Sequence, residues 1–554
     1  MTQLIDLDVF HCNLDGICLI EASAGTGKTW NICALYVRLL LEKQLTVEQI
    51  LVVTFTNAAT AELRERIRGR LAGLVAAMAP VFGGEGDEPN EDPESAEDEF
   101  PDFDPDASDD PLFNVMIAGL VERGEMTPKA IRDCLQTALR AFDQASIHTI
   151  HGFCQRALSE VPFAAGLPFA YELVPDDNGV RHDLAVEFWR RVVEPMAAQD
   201  DGFAAWLVDR KRSPGTLTDQ LARRLKKPMS ALRWPPAVET DVQTSPDSAL
   251  LATYAAAADC WEAEASAIAD LMRTALPSYK KNIYHETSLA QAVSAWQRYL
   301  RANDVGALLS PKAELLTTTR LAKDIKKGET PPDHRFFDMA EVLVRARADA
   351  DERYAMQWLR ILREWLGYAP DQLALRKREL RVVSFDDLLG NIARALTQHP
   401  DLADALRARY PCALIDEFQD TDPLQFAIFN AVYGARESAA PDEAPGPMFM
   451  VGDPKQAIYS FRAADLHTYL AARENADAAY TLAVNQRSTA AIIEAGNRLF
   501  GANDRAFVLD GLEYPPVRPG VRRREPFSDV REVADFTVWW LPDDDEPLSK
   551  DDAQ

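Results

Sequence analysis

A strand, a tight glycine-rich turn and a helix start are written into residues 20–30, IEASAGTGKTW. No other stretch limits the fold as strongly. Backbone N–H groups at such a turn meet phosphate oxygens, a lysine adds positive charge and a hydroxyl reaches Mg²⁺. Ala22, Ser23, Ala24, Gly25, Thr26, Gly27, Lys28 and Thr29 form the expected ATP cradle, with Ala22 where the pattern G-x-x-x-x-G-K-[ST] has glycine. ILVVTF (50–55) is a second buried strand, followed by a helix through 58–78. CALIDEFQD (412–420), MFMVGDPKQ (448–456) and YTLAVNQRS (480–488) are apolar runs ending in polar or charged residues. Buried parallel strands have this form, and ligands gather at their carboxyl ends. The expected class is α/β, with a parallel sheet.

Asp416 and Glu417 stand 387 residues beyond Thr29 at the end of such a strand. Asp416 is suited to hold Mg²⁺, and Glu417 to orient and deprotonate the attacking water. Charge that builds on a transferring phosphoryl group is offset by Lys28, Mg²⁺ and an arginine, for which Arg487 is the candidate. The region 176–380 has helical periodicity and no strand-like runs, with a Pro/Ser-rich break at 234–248, and reads as a helical insert.

The formal net charge of −28 speaks against nucleic-acid binding at face value. Fourteen acidic residues fall between Glu85 and Asp110 with no Lys or Arg, and they supply half of that total. This run, within an insert at about 83–111, reads as a disordered, solvated spacer or as an acidic partner-binding segment. The total therefore says little about the surface that meets a ligand. Seven cysteines without a C-x-x-C pair argue against a zinc or iron–sulfur site and for a reduced, cytoplasmic protein. The N-terminus shows no signal peptide and no apolar stretch is long enough to span a membrane.

The motifs EASAGTGKT, VVTFTNAATAELRERI, SIHTIHGFCQRAL, SFDDLL, ALIDEFQDTDPLQ, FMVGDPKQAIYSFRAAD and YTLAVNQRS occur in this order. In order and wording the chain resembles superfamily 1 helicases of the UvrD/Rep type, and among them the helicase–nuclease subunits of RecBCD-type recombination enzymes. The resemblance is dense in motifs, weaker over 176–380 and thin beyond about 500. It implies an ATP-dependent 3′→5′ DNA helicase acting in double-strand break repair, with RecC-like and RecD-like partner subunits. It implies that Lys28 and Thr29 bind phosphates and Mg²⁺, that Gln456 senses the terminal phosphate, and that Arg487 is an arginine finger. It further implies a single-stranded DNA track along Phe55, Thr56, Asn57, His151, Tyr459 and Phe461. Aromatics interleaved with small polar groups at strand ends make a stacking platform that tolerates any base.

The domains that the resemblance implies are a RecA-like motor domain with a parallel sheet (1–175 and 381–480), a mostly helical insert domain with a duplex-binding arm (176–380), and the start of a second RecA-like motor domain (481–554). Basic clusters at 210–212, 223–227, 279–281 and 323–327 lie in the helical domain, as backbone-contacting groups or as solvated helix faces. Gln486 stands where the family has an aromatic on adenine, and Gln3 is too far from the loop to read the base. The later motor motifs and the nuclease domain are not in these 554 residues, so a fragment that does not unwind DNA alone is expected. A stand-alone UvrD-like helicase, an AddA-type subunit and a non-motor nucleotide-binding scaffold are the alternatives.

Overall fold

The computed structural model describes residues 4–78, 110–160, 171–238, 248–307, 309–434, 446–458, 464–503, 505–520 and 536–537. The acidic run up to Asp109, Gln3, Tyr459, Phe461 and the acidic tail lie outside the described residues. The chain divides into two compact units, Met1–Tyr171 with Phe385–Gln554, and Glu172–Ser384.

The first unit is built on a seven-stranded sheet. Its strands are β1 (Ile5–Asp6), β2 (Ile17–Ala22), β3 (Ile50–Thr54), β4 (Ile147–Thr149), β7 (Cys412–Ile415), β8 (Met448–Gly452) and β9 (Ala478–Leu482); β5 (Glu172–Val174) and β6 (Val382–Ser384) belong to the second unit. The order is β1-β9-β2-β8-β7-β3-β4, and every pairing is parallel. Strands β2, β3, β7 and β8 are buried at every residue. A sheet covered on both faces demands this, and it is why these segments read as continuous apolar runs rather than alternating ones.

Helix α1 (Lys28–Leu41) follows β2 and buries eleven of its fourteen residues. Helix α2 (Asn57–Ala77) follows β3 and buries one stripe, Leu63, Ile67, Leu71 and Leu74. Its N-cap is Thr56, whose hydroxyl accepts the Ala59 N–H at 3.1 Å. The acidic run ends on an anchored residue: Asp110 pairs with Arg70 and accepts the Leu112 N–H.

Because the strands are parallel, Ala22, Ile415, Gly452 and Leu482 all end on one edge of the sheet. Strand β8 lies between β2 and β7. The phosphate-loop strand and the Asp416–Glu417 strand are thus two spacings apart, about 10 Å. A lysine side chain can cross that gap.

The second unit is mostly helical. A 46-residue helix, Arg335–Leu380, spans about 70 Å and serves two separate cores. Phe336, Phe337, Ala340 and Leu343 pack into one with Trp261, Trp296 and Tyr299. Tyr354, Trp358, Trp365 and Leu373 pack into the other with Phe188, Phe203 and Trp206. Strands β5 and β6 pair in parallel. Several residues of the basic clusters have partners within this unit. Arg210 pairs with Asp351, Lys280 with Asp324, and the Arg212 guanidinium lies over the Trp206 and Trp358 rings. Arg223, Lys226 and Lys227 are exposed. Among the described residues, no helix is long and apolar enough to cross a membrane.

Candidate active site

The glycine-rich turn has two residues in the left-handed region, Gly25 at φ +80° and Gly27 at φ +93°. A side chain at either would be strained. Gly25 has a second reason to be glycine: a Cβ there would lie 2.7 Å from the Arg487 Cβ and 2.9 Å from the Asn485 Oδ1. Ala22 needs no such freedom. It is the fully buried last residue of β2, paired with Leu482, and its φ is not positive. Gly27 is the N-cap of α1 and no side chain caps that end, which leaves the first-turn N–H groups for an anion. The Thr26 hydroxyl donates to the Ser23 carbonyl at 2.7 Å and closes the turn. Thr29 sits half-buried in the first turn of α1.

Lys28 bridges the strand gap. Its Nζ lies 2.8 Å from the Glu417 Oε2, with the two side chains 15% and 36% exposed. Glu417 is held at φ 50°, a left-handed conformation rare for a residue with a side chain. The Asp416 carboxylate accepts the Glu417 N–H at 2.9 Å. Asp416 and Asp420 are both pushed up to about 6, first by burial and then by the Glu417 charge, with Lys28 offsetting part of it. The Asp420 Oδ1 is buried without a hydrogen-bond partner.

A chain of hydrogen bonds continues from Glu417. The Gln419 Nε2 donates to the Glu417 Oε2 at 2.7 Å, and the Asp453 N–H donates to the Gln419 Oε1 at 2.9 Å. The Gln456 Nε2 donates to the Asp453 Oδ2 at 2.7 Å. Gly452 permits this approach, since a Cβ there would meet the Gln419 Oε1 at 2.6 Å. On the other side of the loop, the Asn485 Nδ2 donates to the Ala24 carbonyl at 3.0 Å and the Gln486 N–H to the Gly25 carbonyl at 2.8 Å. The Asn485 Oδ1 accepts the N–H groups of Arg487 and Ser488, both at 2.9 Å. Arg487 itself is exposed. The Gln486 carboxamide packs against the Cα of Gly520.

The structure therefore brings Lys28, Asp416, Glu417, Gln456 and the backbone of Arg487 to one strand edge with the loop. Sequence reasoning did not single out Gln419, Asp420 and Asn485, although each stands inside a motif it quoted. The residues expected along a DNA track sit nearby in the sheet order. Phe55 is half-buried just past β3, and Thr56 and Asn57 are exposed at the start of α2. His151 lies in the first turn of the helix Ile150–Glu160, its ring edge-on to Phe385 at 6.4 Å. Burial lowers the His151 pKa, with Asp386 and Asp422 offsetting part of that. Tyr459 and Phe461 fall outside the described residues.

These residues fit a nucleotide with a divalent cation. The uncapped helix start offers donors to phosphate oxygens. Three carboxylates face one lysine, and two of them are pushed up to about 6 by burial and then by the charge of the third. One further group of donors, Cys260, Glu264 and His334, has metal-like spacing in the second unit. Arg335 and His334 already pair with Glu264 there, so a guanidinium takes the place of a cation.

One consequence is testable by pH. The folded Asp416 carboxyl keeps its proton to about 6, whereas an unfolded one releases it near about 3.9. Between these values the folded state holds a proton that the unfolded chain has lost, so this group's contribution to stability falls as pH rises. A bound cation reverses that penalty. Stabilisation by Mg²⁺ plus nucleotide, read as a shift in Tm, should therefore grow from about pH 5 to about pH 7. A shift of the same size at both ends would remove Asp416 from the cation site.

The family described as the UvrD/REP helicase N-terminal domain matches residues 7–477. The RecBCD enzyme subunit RecB of Escherichia coli (strain K12) is 31% identical over 524 residues, covering 92% of this chain and 40% of that protein. The subunit of the same name from Haemophilus influenzae is 32% identical over 553 residues, covering 93% and 42%. That from Mycobacterium tuberculosis is 28% identical over 478 residues, covering 86% and 29%. The chain spans about two fifths of the length of the first two relatives. Its parallel sheet, its glycine-rich loop and the match over 7–477 together place the chain in the UvrD/REP helicase family.

Proposed function

We propose that this chain is the ATP-driven motor portion of a 3′→5′ DNA helicase subunit of the RecBCD kind. It would work in the cytoplasm with RecC-like and RecD-like partners in double-strand break repair and recombination. The observation that carries the reading is the continuous hydrogen-bonded edge. It runs from Lys28 through Glu417, Gln419 and Asp453 to Gln456, with the Asn485–Arg487 segment closing on the loop from the far side. Residues 1–175 and 381–480 form the first motor domain, 176–380 the helical domain whose arm meets the duplex ahead of the fork, and 481–554 the start of the second motor domain.

Mg²⁺–ATP, when bound, supplies the transferable phosphoryl group and the cation that offsets charge on its oxygens. The loop's N–H groups and Lys28 bind the phosphates, which requires Lys28 to leave Glu417. Thr29 and Asp416 would hold the cation. Glu417, released from Lys28, orients the water and takes its proton. Gln456 and Arg487 meet the terminal phosphate. Phe55, Thr56, Asn57, His151, Tyr459 and Phe461 form the single-stranded DNA track, where stacking is indifferent to sequence.

The test is ATP hydrolysis by the full-length protein with and without single-stranded DNA. Hydrolysis that DNA does not stimulate would leave a nucleotide-binding protein without a motor. Hydrolysis that survives Lys28→Ala unchanged would place the ATP site elsewhere. Phe55→Ala should weaken single-stranded DNA binding by about 1–3 kcal/mol, with ATP binding retained. Unchanged DNA affinity in a fluorescence titration would assign Phe55 to the core instead.

A further inference from the structure

We infer that Lys455 is a positioning residue for ATP turnover: with Glu21 and Asp453 it forms a buried ionic bridge that holds the Gln456 carboxamide in register with the phosphate loop. The inference rests on the reading of Gln456 as the group that meets the terminal phosphate.

The Lys455 side chain is only 8% exposed, and those of Glu21 and Asp453 are 3% exposed. Its Nζ lies 2.8 Å from the Asp453 Oδ1 and donates to the Glu21 Oε1 at 3.1 Å. Glu21 immediately precedes Ala22, at the point where β2 runs into the loop, and it is the register partner of Gly452 on β8. Asp453 follows Gly452. The two carboxylates thus sit on neighbouring strand ends, and the ammonium clamps them together. The remaining Asp453 oxygen accepts from the Gln456 Nε2 at 2.7 Å. The path Glu21–Lys455–Asp453–Gln456 has no gap.

Glu21 has little else to hold it. The Arg473 guanidinium approaches its Oε2 at 3.7 Å, an ionic contact beyond hydrogen-bond length, and that oxygen has no hydrogen-bond partner. Burial alone would lower the Lys455 pKa, but the two carboxylates outweigh it and raise it, which favours the ammonium form. Buried ion pairs contribute little net stability because desolvation offsets their attraction; what they fix is geometry. An apolar side chain at 455 would fill the space at a lower desolvation cost. A lysine there does what an apolar residue cannot: it ties the sensor turn to the phosphate-loop strand.

The test is steady-state ATP hydrolysis by the full-length protein with single-stranded DNA, using Lys455→Met, Lys455→Arg and Lys28→Ala side by side. Lys455→Met should lower kcat by about tenfold to a hundredfold, the effect of misplacing a group at the reacting centre. The KM for ATP should stay within about threefold, because the lost interaction matters only in the transition state. Lys455→Arg should recover most of the rate, as an arginine can span the same two carboxylates. Removing one partner of a buried pair can unfold a protein. The double variant Glu21→Gln/Lys455→Met leaves no unpaired charge at position 21 and carries the test if the single variant does not fold; it should keep the kcat loss. A folded variant with wild-type kcat overturns the inference, as does a loss that appears only as a raised KM. If Lys28→Ala also hydrolyses ATP normally, the reading of the phosphate loop fails with it. If Lys28→Ala is inactive, the phosphate-loop reading stands, and a Gln456→Ala variant beside it separates the rest: an inactive Gln456→Ala means that the Lys455 inference fails alone, whereas a fully active one means that the Gln456 reading fails with it.

Discussion

Arg487→Ala should lower the rate of ATP hydrolysis by about 10³–10⁵-fold while nucleotide binding persists. The size of this effect follows from where the charge is needed. Hydrolysis spreads negative charge over the oxygens of the transferring phosphoryl group, and a guanidinium acts on that charge only once it forms. The structure sets the Arg487 backbone against the loop in a defined way. Asn485 donates to the Ala24 carbonyl while its own amide oxygen accepts the Arg487 N–H, and the adjacent Gln486 N–H donates to the Gly25 carbonyl. The side chain itself remains exposed and is therefore available to a ligand. A finger brought in by backbone hydrogen bonds requires a glycine at position 25, and any Cβ there would overlap the Arg487 Cβ. Arg487→Lys should recover little, because an ammonium lacks the planar fork that meets two oxygens at once. Single-turnover hydrolysis is the measurement. A loss of less than about tenfold would move the finger's role to another arginine.

The strands were legible because burial on both faces of a parallel sheet leaves a local trace, an apolar run that ends in polar residues. The Asp416–Glu417 pair was legible for the same reason, since it marks where such a run stops, whereas Lys28 was legible from the spacing of the glycine-rich loop. Strand order left no local trace. That β8 lies between β2 and β7 decides that Asp453 meets Gln419, and that Glu21 stands beside Gly452. Asn485 reaches Ala24 across 461 residues of chain, a contact that no periodicity encodes. Ala22 read as an irregular position, yet its backbone is ordinary strand and asks nothing of glycine. The basic clusters of the helical unit read as backbone-contacting groups or as solvated helix faces, with nothing local to mark which charges are paired within the fold. Arg210, Arg212 and Lys280 are instead consumed by Asp351, two tryptophans and Asp324. Composition records charge but not whether a partner within the fold has already taken it.

Glu417→Gln should reduce hydrolysis by about 10²–10⁴-fold, the usual contribution of a positioned general base. An amide keeps the volume and the left-handed backbone but cannot take a proton. The substitution also changes the electrostatics of the site in a direction that can be measured separately. Glu417 raises the pKa of both Asp416 and Asp420, second only to burial. Without its charge, both carboxyls lose their protons at lower pH and become better cation ligands under acidic conditions. The variant should therefore bind Mg²⁺ and nucleotide at least as tightly as the wild type, and the acid limit of that binding should fall below its wild-type position near about 6. Lys28 contributes in the same sense, because the 2.8 Å pair that occupies it without nucleotide is weakened and its ammonium is free for phosphate. Slow turnover and firmer binding are opposite in sign, so a merely misfolded variant cannot produce both. Equilibrium titration with a fluorescent ATP analogue across pH, beside single-turnover hydrolysis, measures the two together. Weaker binding with the acid limit unmoved would separate Glu417 from Asp416 and assign the carboxylate to holding Lys28 rather than to chemistry.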